Sequence, residues 1–259
     1  MLAVLTAPAC ISPTNVQEVP TIPPPTETLS GQNDWQLLAP GLERRAYDPD
    51  SSNPIARMIV LRIDPARFAF RVHYRPGEPL TTREWFQELG GATAFVNANF
   101  FDPQNQIVGL LVADGQVYGS SYTDRGGMFS IQNGQVVMQA LLRQPYGGEV
   151  LEQAVQAFPM LVIDGEQSFR DDLRDRPTRR TVIGQDSLGR VILMATPLLG
   201  LPLRELSAYL ADADLDLVTA FNLDGGGSTM MGLSIDGSTE YVVSSLDPVP
   251  AVLAVYPRG

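Results

Sequence analysis

The chain has 259 residues, 44% of them hydrophobic and 18% charged, with a formal net charge of −11, and all eighteen basic residues are arginine. Without lysine there is no Schiff-base chemistry, no P-loop amine and no Ser–Lys dyad. His73 and Cys10 are the only residues of their types, so no His-rich or four-cysteine zinc site can form within one chain, and a Ser-His-Asp triad would have to run through His73. The acidic balance argues against nucleic acid as the principal partner, because phosphate-backbone binding needs a basic stripe. Arginine is left to hold any anion, and carboxylates become the default acid and base.

Residues 1–34 contain six prolines and no basic residue, which predicts an extended linker that buries too little apolar surface to fold. Its first ten residues, MLAVLTAPAC, resemble the end of a bacterial export signal. On that reading Cys10 is a lipid-anchored residue, and the protein is exported to the cell envelope or periplasm. Residues 35–259 are expected to form one domain. No later stretch reaches eighteen uninterrupted apolar residues, so no transmembrane helix is expected.

From Trp35 onward the chain reads mainly as short strands rich in Val, Ile, Leu and Phe: residues 55–64, 68–74, 93–100, 106–119, 127–139, 159–169, 180–196 and 215–224. Four of these carry turn signals at their middle, at Asp114-Gly115, Asn133-Gly134, Asp164-Gly165 and Leu188-Gly189. Asn-Gly and Asp-Gly supply the positive φ that two-residue hairpins need, so Asp114, Asn133 and Asp164 are read as turn residues before catalytic ones. Helices are predicted over 81–89, behind a Thr cap and before Gly90-Gly91, over 149–157, and over 202–210 behind an N-terminal proline. The sum is an α+β domain of mixed, largely antiparallel sheet with a few packed helices. His73, in the alternating run Phe70 to Tyr74, is read as a strand residue with a local hydrogen bond.

Polar residues interrupt the apolar pattern at two strand ends. Asn97 and Asn99 are two apart, as are Asn222 and Asp224, so each pair shares a strand face. Inward polar groups cost several kcal/mol if unpaired, on the order of 2–7, and therefore call for a partner or a ligand. Gly225, Gly226 and Gly227 follow directly, then Ser228 and Thr229. Such a run lets backbone N–H groups converge on an anion, although it lacks the lysine ending of a P-loop. A third concentration, Arg170 to Arg180, reads mostly as a solvated, self-compensating loop. Arg180 differs because it opens an apolar strand and could present a guanidinium fork to phosphate or carboxylate.

Taken in order, NANFF (97–101), Gly109 in VGLLVADG, PMLVIDG (159–165), RRTVIG with LGRVILMAT (179–196) and LRELSAYLADADLDLVTAFNLDGGGSTMM (203–231) resemble the phosphodiester glycosidase family over residues 90–256. The resemblance implies hydrolysis of a sugar C1–O bond whose leaving group is a phosphate ester. It also implies a pocket lined by Asn97, Asn99, Gly109, Arg180, Asn222, Asp224, Gly225, Gly226, Gly227, Ser228 and Thr229. Arg180 and the Gly225–Gly227 backbone would clamp the phosphate, Asp224 would act as base or nucleophile at the anomeric carbon, and the asparagines would bind sugar hydroxyls. No metal or other cofactor is required by this scheme. Family members often carry an arginine near the closing strand, where this chain has Asp247-Pro248-Val249-Pro250. The alternative class is a non-catalytic, envelope-anchored module that binds glycan or phosphoglycan in the same pocket.

Overall fold

The structure, a computed structural model, describes residues 34–49, 54–171 and 175–258. Cys10, the signal-like segment and the linker lie outside the described residues. In chain order the strands are β1 (Gln36–Ala39), β2 (Leu42–Tyr47), β3 (Met58–Ile63), β4 (Phe68–Tyr74), β5 (Ala94–Asn97), β6 (Leu110–Ala113), β7 (Gln116–Gly119), β8 (Gly127–Gln132) and β9 (Gln135–Ala140). They continue with β10 (Gln153–Ala157), β11 (Met160–Ile163), β12 (Glu166–Gln167), β13 (Thr181–Asp186), β14 (Val191–Ala195), β15 (Leu217–Asn222), β16 (Met231–Ile235), β17 (Ser238–Val243) and β18 (Ala251–Pro257). Two α-helices join them, α1 (Thr82–Glu88) and α2 (Leu203–Asp212).

Three antiparallel sheets result. The first runs β1-β2-β3-β14-β13-β15-β11-β12, the second β7-β6-β10-β8-β9 and the third β17-β16-β5-β18-β4. They enclose one apolar core in which Leu61 and Leu193 of the first sheet meet Phe129 and Val155 of the second and Val96 and Leu253 of the third. Phe70 and Phe129 pack edge to face at 5.4 Å across the second and third sheets. The outer face of the first sheet is covered by α2, whose Leu206 and Leu210 pack on Val60, Leu161, Val182 and Ile192. Helix α1 covers the third sheet through Trp85 and Leu89 against Phe95, Val252 and Ala254. Each such side chain contributes roughly 1.5–3 kcal/mol on burial. Because β14 (VILMA) is buried on both faces, it reads as a continuous hydrophobic run instead of an alternating one.

Local chemistry sets the connections. Asp114, Asn133 and Asp164 have φ of 47°, 50° and 53°, each before a positive-φ glycine, and each turns a hairpin. Helix α1 starts at a capping box: Glu84 N donates to Thr81 Oγ1, and Glu84 Oε2 accepts from Thr81 N. His73 Nε2 pairs with the Tyr256 hydroxyl at 3.0 Å within its own sheet, and burial lowers its pKa. The helix expected over 149–157 is instead the buried strand β10. Its glutamines bond to neighbouring strands, Val72 N donating to Gln153 Oε1 at 2.8 Å and Leu110 N to Gln156 Oε1 at 3.2 Å. Tertiary partners for those amides outweigh the weak helical propensity of the segment. The domain is accordingly far more sheet-dominated than the expected α+β balance.

Candidate active site at the β15–β16 turn

The site forms where the first sheet hands the chain to the third. At the end of β15, Leu223 N still donates to Thr181 O of the first sheet (2.8 Å), whereas Asp224 N donates to Ala98 O just beyond β5 (3.1 Å). Residues 225–229 then turn back into β16. Asn97 locks this crossing. Its Nδ2 donates to Asp224 O at 2.6 Å, and its Oδ1 accepts from Thr181 Oγ1 at 2.7 Å and from Met230 N at 3.0 Å. Three of the four hydrogen-bonding positions of Asn97 are thus taken by protein groups, and it holds the site together, with one buried N–H left over.

Asp224 is mostly enclosed. Burial pushes its carboxyl pKa up to about 6, opposed by hydrogen bonds from Ser228 and Gly225 N, with the Asp247 charge adding to the rise. Gly225 N donates to Asp224 Oδ1 at 2.8 Å, and Gly226 N donates to Arg179 O at 2.8 Å. The glycine run therefore does not form the converging anion cradle expected of it, since two of its three amides serve internal acceptors. Gly227 has a different reason to be glycine: a Cβ there would fall on the Asp247 carboxylate. Leu246 N and Asp247 N both donate to Gly227 O, at 2.7 and 3.1 Å, so the segment before β18 closes over the turn.

Arg180 does not face this turn. Strand alternation sends Thr181 and Ile183 toward the core and Arg180 and Val182 toward α2. There the Arg180 guanidinium donates to Asp175 Oδ1 and Arg176 O, each at 3.0 Å, in a buried ion pair whose acid also accepts from Arg204 N at the start of α2. The arginine on the inner face is Arg179. Its Nη2 donates to Thr229 O (2.8 Å) and Ser244 O (2.6 Å), its Nε is enclosed without a partner, and burial lowers its pKa.

Among the described residues, eight buried side-chain polar atoms lack a hydrogen-bond partner, and four belong here: Arg179 Nε, Thr229 Oγ1, Asn99 Oδ1 and Asn222 Oδ1. Each asparagine uses its amide nitrogen on a carbonyl, Asn99 on Leu110 O (2.9 Å) and Asn222 on Leu223 O (2.6 Å). The oxygens remain as spare acceptors, and such concentrations of unmet polarity are uncommon away from ligand sites. Beside them Phe158 packs against Phe100 (4.8 Å) and Tyr122 (5.4 Å), with the Arg125 guanidinium 5.6 Å over its ring. Gly109 belongs to this aromatic wall and not to the turn: its φ is +90°, and the Tyr122 ring lies where a Cβ would point. Ser228 is buried and reaches Asp224.

A cavity of about 590 Å³, lined by Arg67, Phe68, Thr93, Ile235 and Arg258 among others, lies at the opposite ends of β5 and β16 and shares no residue with these groups. Chemistry, not volume, marks the site. No cluster of three or more His, Cys, Asp or Glu side chains suited to a metal ion occurs among the described residues. Sequence reasoning missed Arg179, Asp247 and the Phe100–Tyr122–Phe158 wall as site groups.

The sequence profile of the phosphodiester glycosidase family matches residues 90–256. No curated protein matches in sequence. Among solved structures, the chain is similar to the zebrafish N-acetylglucosamine-1-phosphodiester α-N-acetylglucosaminidase catalytic domain auto-inhibited by its pro-peptide. That match has a TM-score of 0.65 and 18% identity over 88% of this chain and 87% of that one. A hypothetical protein from Synechocystis matches with a TM-score of 0.57 and 16% identity, over 85% of this chain and 62% of that one. At these identities the likeness shows a common fold.

Proposed function

Because the chain belongs to the phosphodiester glycosidase family, we propose that it is a hydrolase cleaving the C1–O bond of a sugar-1-phosphodiester or related envelope glycan, with Asp224 working at the anomeric centre. The observation that carries this reading is the state of Asp224: a largely enclosed carboxyl with a pKa near 6, on a turn that joins two sheets. A carboxyl tuned to that range can deliver or accept a proton near neutral pH. The spare oxygens of Asn99 and Asn222 suit sugar hydroxyls, and the Phe158 wall suits the apolar face of a pyranose. The phosphate clamp that the family resemblance implies for Arg180 is not supported, since that guanidinium is spent on Asp175 across the sheet. Delivery to the envelope through Cys10 remains part of the proposal and is tested by asking whether Cys10→Ala moves the protein from the membrane fraction to the soluble one.

The activity is tested by screening the purified protein against α- and β-linked sugar-1-phosphodiesters and O-glycosides in ¹⁸O-water, beside Asp224→Ala. Label at the sugar C1 hydroxyl, with turnover abolished in the variant, is expected. Label in phosphate, or wild-type turnover on none of these substrates, would overturn the reading, the latter in favour of a binding module.

A further inference from the structure

We propose that Asp247 is the second carboxylate of the catalytic pair, and that the pair directs this site toward glycosides with an uncharged alcohol as leaving group in preference to sugar phosphodiesters. The proposal rests on the glycosidase reading above and narrows its substrate.

The glycine turn carries two carboxylates in contrasting surroundings. Asp224 accepts from Gly225 N at one end of the turn and is half-buried. Asp247 hangs from Gly227 O through its own amide and that of Leu246, its carboxylate lies against the Gly227 Cα, and it is exposed to water. Two residues on, Val249 N and O exchange 2.9 Å bonds with Leu80 O and N, which anchors the segment against the lead-in to α1. No hydrogen bond or ion pair engages the Asp247 carboxylate among the described residues. Hydrated as it is, this carboxylate is laid onto the turn that holds Asp224. Glycosidases assign acid and base by giving one carboxyl an enclosed environment and the other a hydrated one.

Charge and leaving-group chemistry point the same way. An anionic phosphodiester over Gly227 would face Asp247 at contact distance. Of the cations near the turn, Arg180 lies across the sheet and Arg125 is paired through two bonds with Asp124, which leaves Arg179, whose Nη2 already serves two carbonyls, to offset that repulsion with its remaining donors. A phosphate monoester, with a second pKa of roughly 6, departs without being protonated. An alcohol does not, and needs an acid beside the glycosidic oxygen. In the step, Asp224 gives its proton to that oxygen as the C1–O bond breaks and the bonding pair stays on oxygen. Asp247 takes a proton from the water whose oxygen bonds to C1. One water is added across the bond, and exchange with solvent restores both carboxyls.

The test compares two substrates sharing whichever sugar supports turnover, an alkyl O-glycoside and the corresponding sugar-1-(methyl phosphate) diester, on wild type and Asp247→Asn. The expected result is a kcat/KM at least about tenfold higher for the alkyl glycoside in wild type. Asp247→Asn should lower that value about 10²-fold or more at an unchanged melting temperature, as general catalysis by one group predicts. Phosphodiester turnover should be lowered less. Azide added to Asp247→Ala should restore part of the rate and yield a glycosyl azide. Preference of the wild type for the phosphodiester overturns the proposal whatever the variant does, as does Asp247→Asn activity on the alkyl glycoside within twofold of wild type. Wild-type inactivity on both substrates overturns the glycosidase reading itself, and this proposal with it.

Discussion

Asp224→Asn is expected to make the protein inactive and more stable, and the gain should depend on pH. An unperturbed aspartate titrates near 3.9, whereas enclosure brings Asp224 to about 6. The folded state therefore holds this proton more tightly than the unfolded chain does. At about pH 3 and below the carboxyl is protonated in both states and costs nothing. As pH rises from 4 to 6 the unfolded chain releases its proton first, so stability falls, and above about 6 the penalty is constant. At 1.36 kcal/mol per pH unit the difference amounts to about 3 kcal/mol, and partial contact with water reduces this to roughly 2 kcal/mol. Asparagine keeps an oxygen for Gly225 N without the charge. Urea unfolding at pH 8 should show the variant more stable by roughly 2 kcal/mol, and thermal unfolding a midpoint rise of about 4–8 °C for a chain of this size. At pH 3 the two proteins should coincide. Equal differences at both pH values would refute the claim that enclosure of a charge is what tunes this carboxyl.

Two further substitutions separate support from chemistry. Asn97→Ala removes three hydrogen bonds and leaves the buried Met230 N and Thr181 Oγ1 unpaired, so it should cost roughly 3–5 kcal/mol in urea unfolding; a loss below about 1 kcal/mol would show that the crossing does not depend on it. Arg180→Met strands the buried Asp175 carboxylate and should destabilise by about 3–5 kcal/mol, with most of that recovered in Arg180→Met/Asp175→Leu and kcat of the folded protein unchanged; a hundredfold fall in kcat with the fold intact would return Arg180 to the substrate.

What sequence could reveal followed the range of the interaction responsible. Asp114-Gly115, Asn133-Gly134 and Asp164-Gly165 were readable as hairpins because positive φ is a property of two adjacent residues. The Thr81–Glu84 cap was readable for the same reason. Strand β10 was not: enclosed between β6 and β8, with every residue buried, it shows no alternation to set against a helical pattern. The two arginines posed the same difficulty at smaller scale. In Arg179-Arg180-Thr181-Val182-Ile183 both strand faces are apolar, so only the partners across the sheets, Asn97 on one side and α2 on the other, decide which guanidinium turns inward. Asp224 stood out through its glycines, whereas Asp247 lies in a loop where no periodicity assigns a direction. Its place on the turn is visible only once Gly227 O is seen to hold it.

The bonds made by Asn97 also bear on how the site comes into being. Its partners Thr181, Asp224 and Met230 lie 84, 127 and 133 residues further along the chain. Each of these bonds spans 84 residues or more, and contacts closing such long loops form late and slowly. During synthesis Asn97 meets Thr181 first and Asp224 next, and it completes its bonds only once Met230 has emerged. Splitting the gene between β5 and β13 would leave two halves without residual activity, and recovery of turnover on mixing them would report that β5 had been built into its sheet.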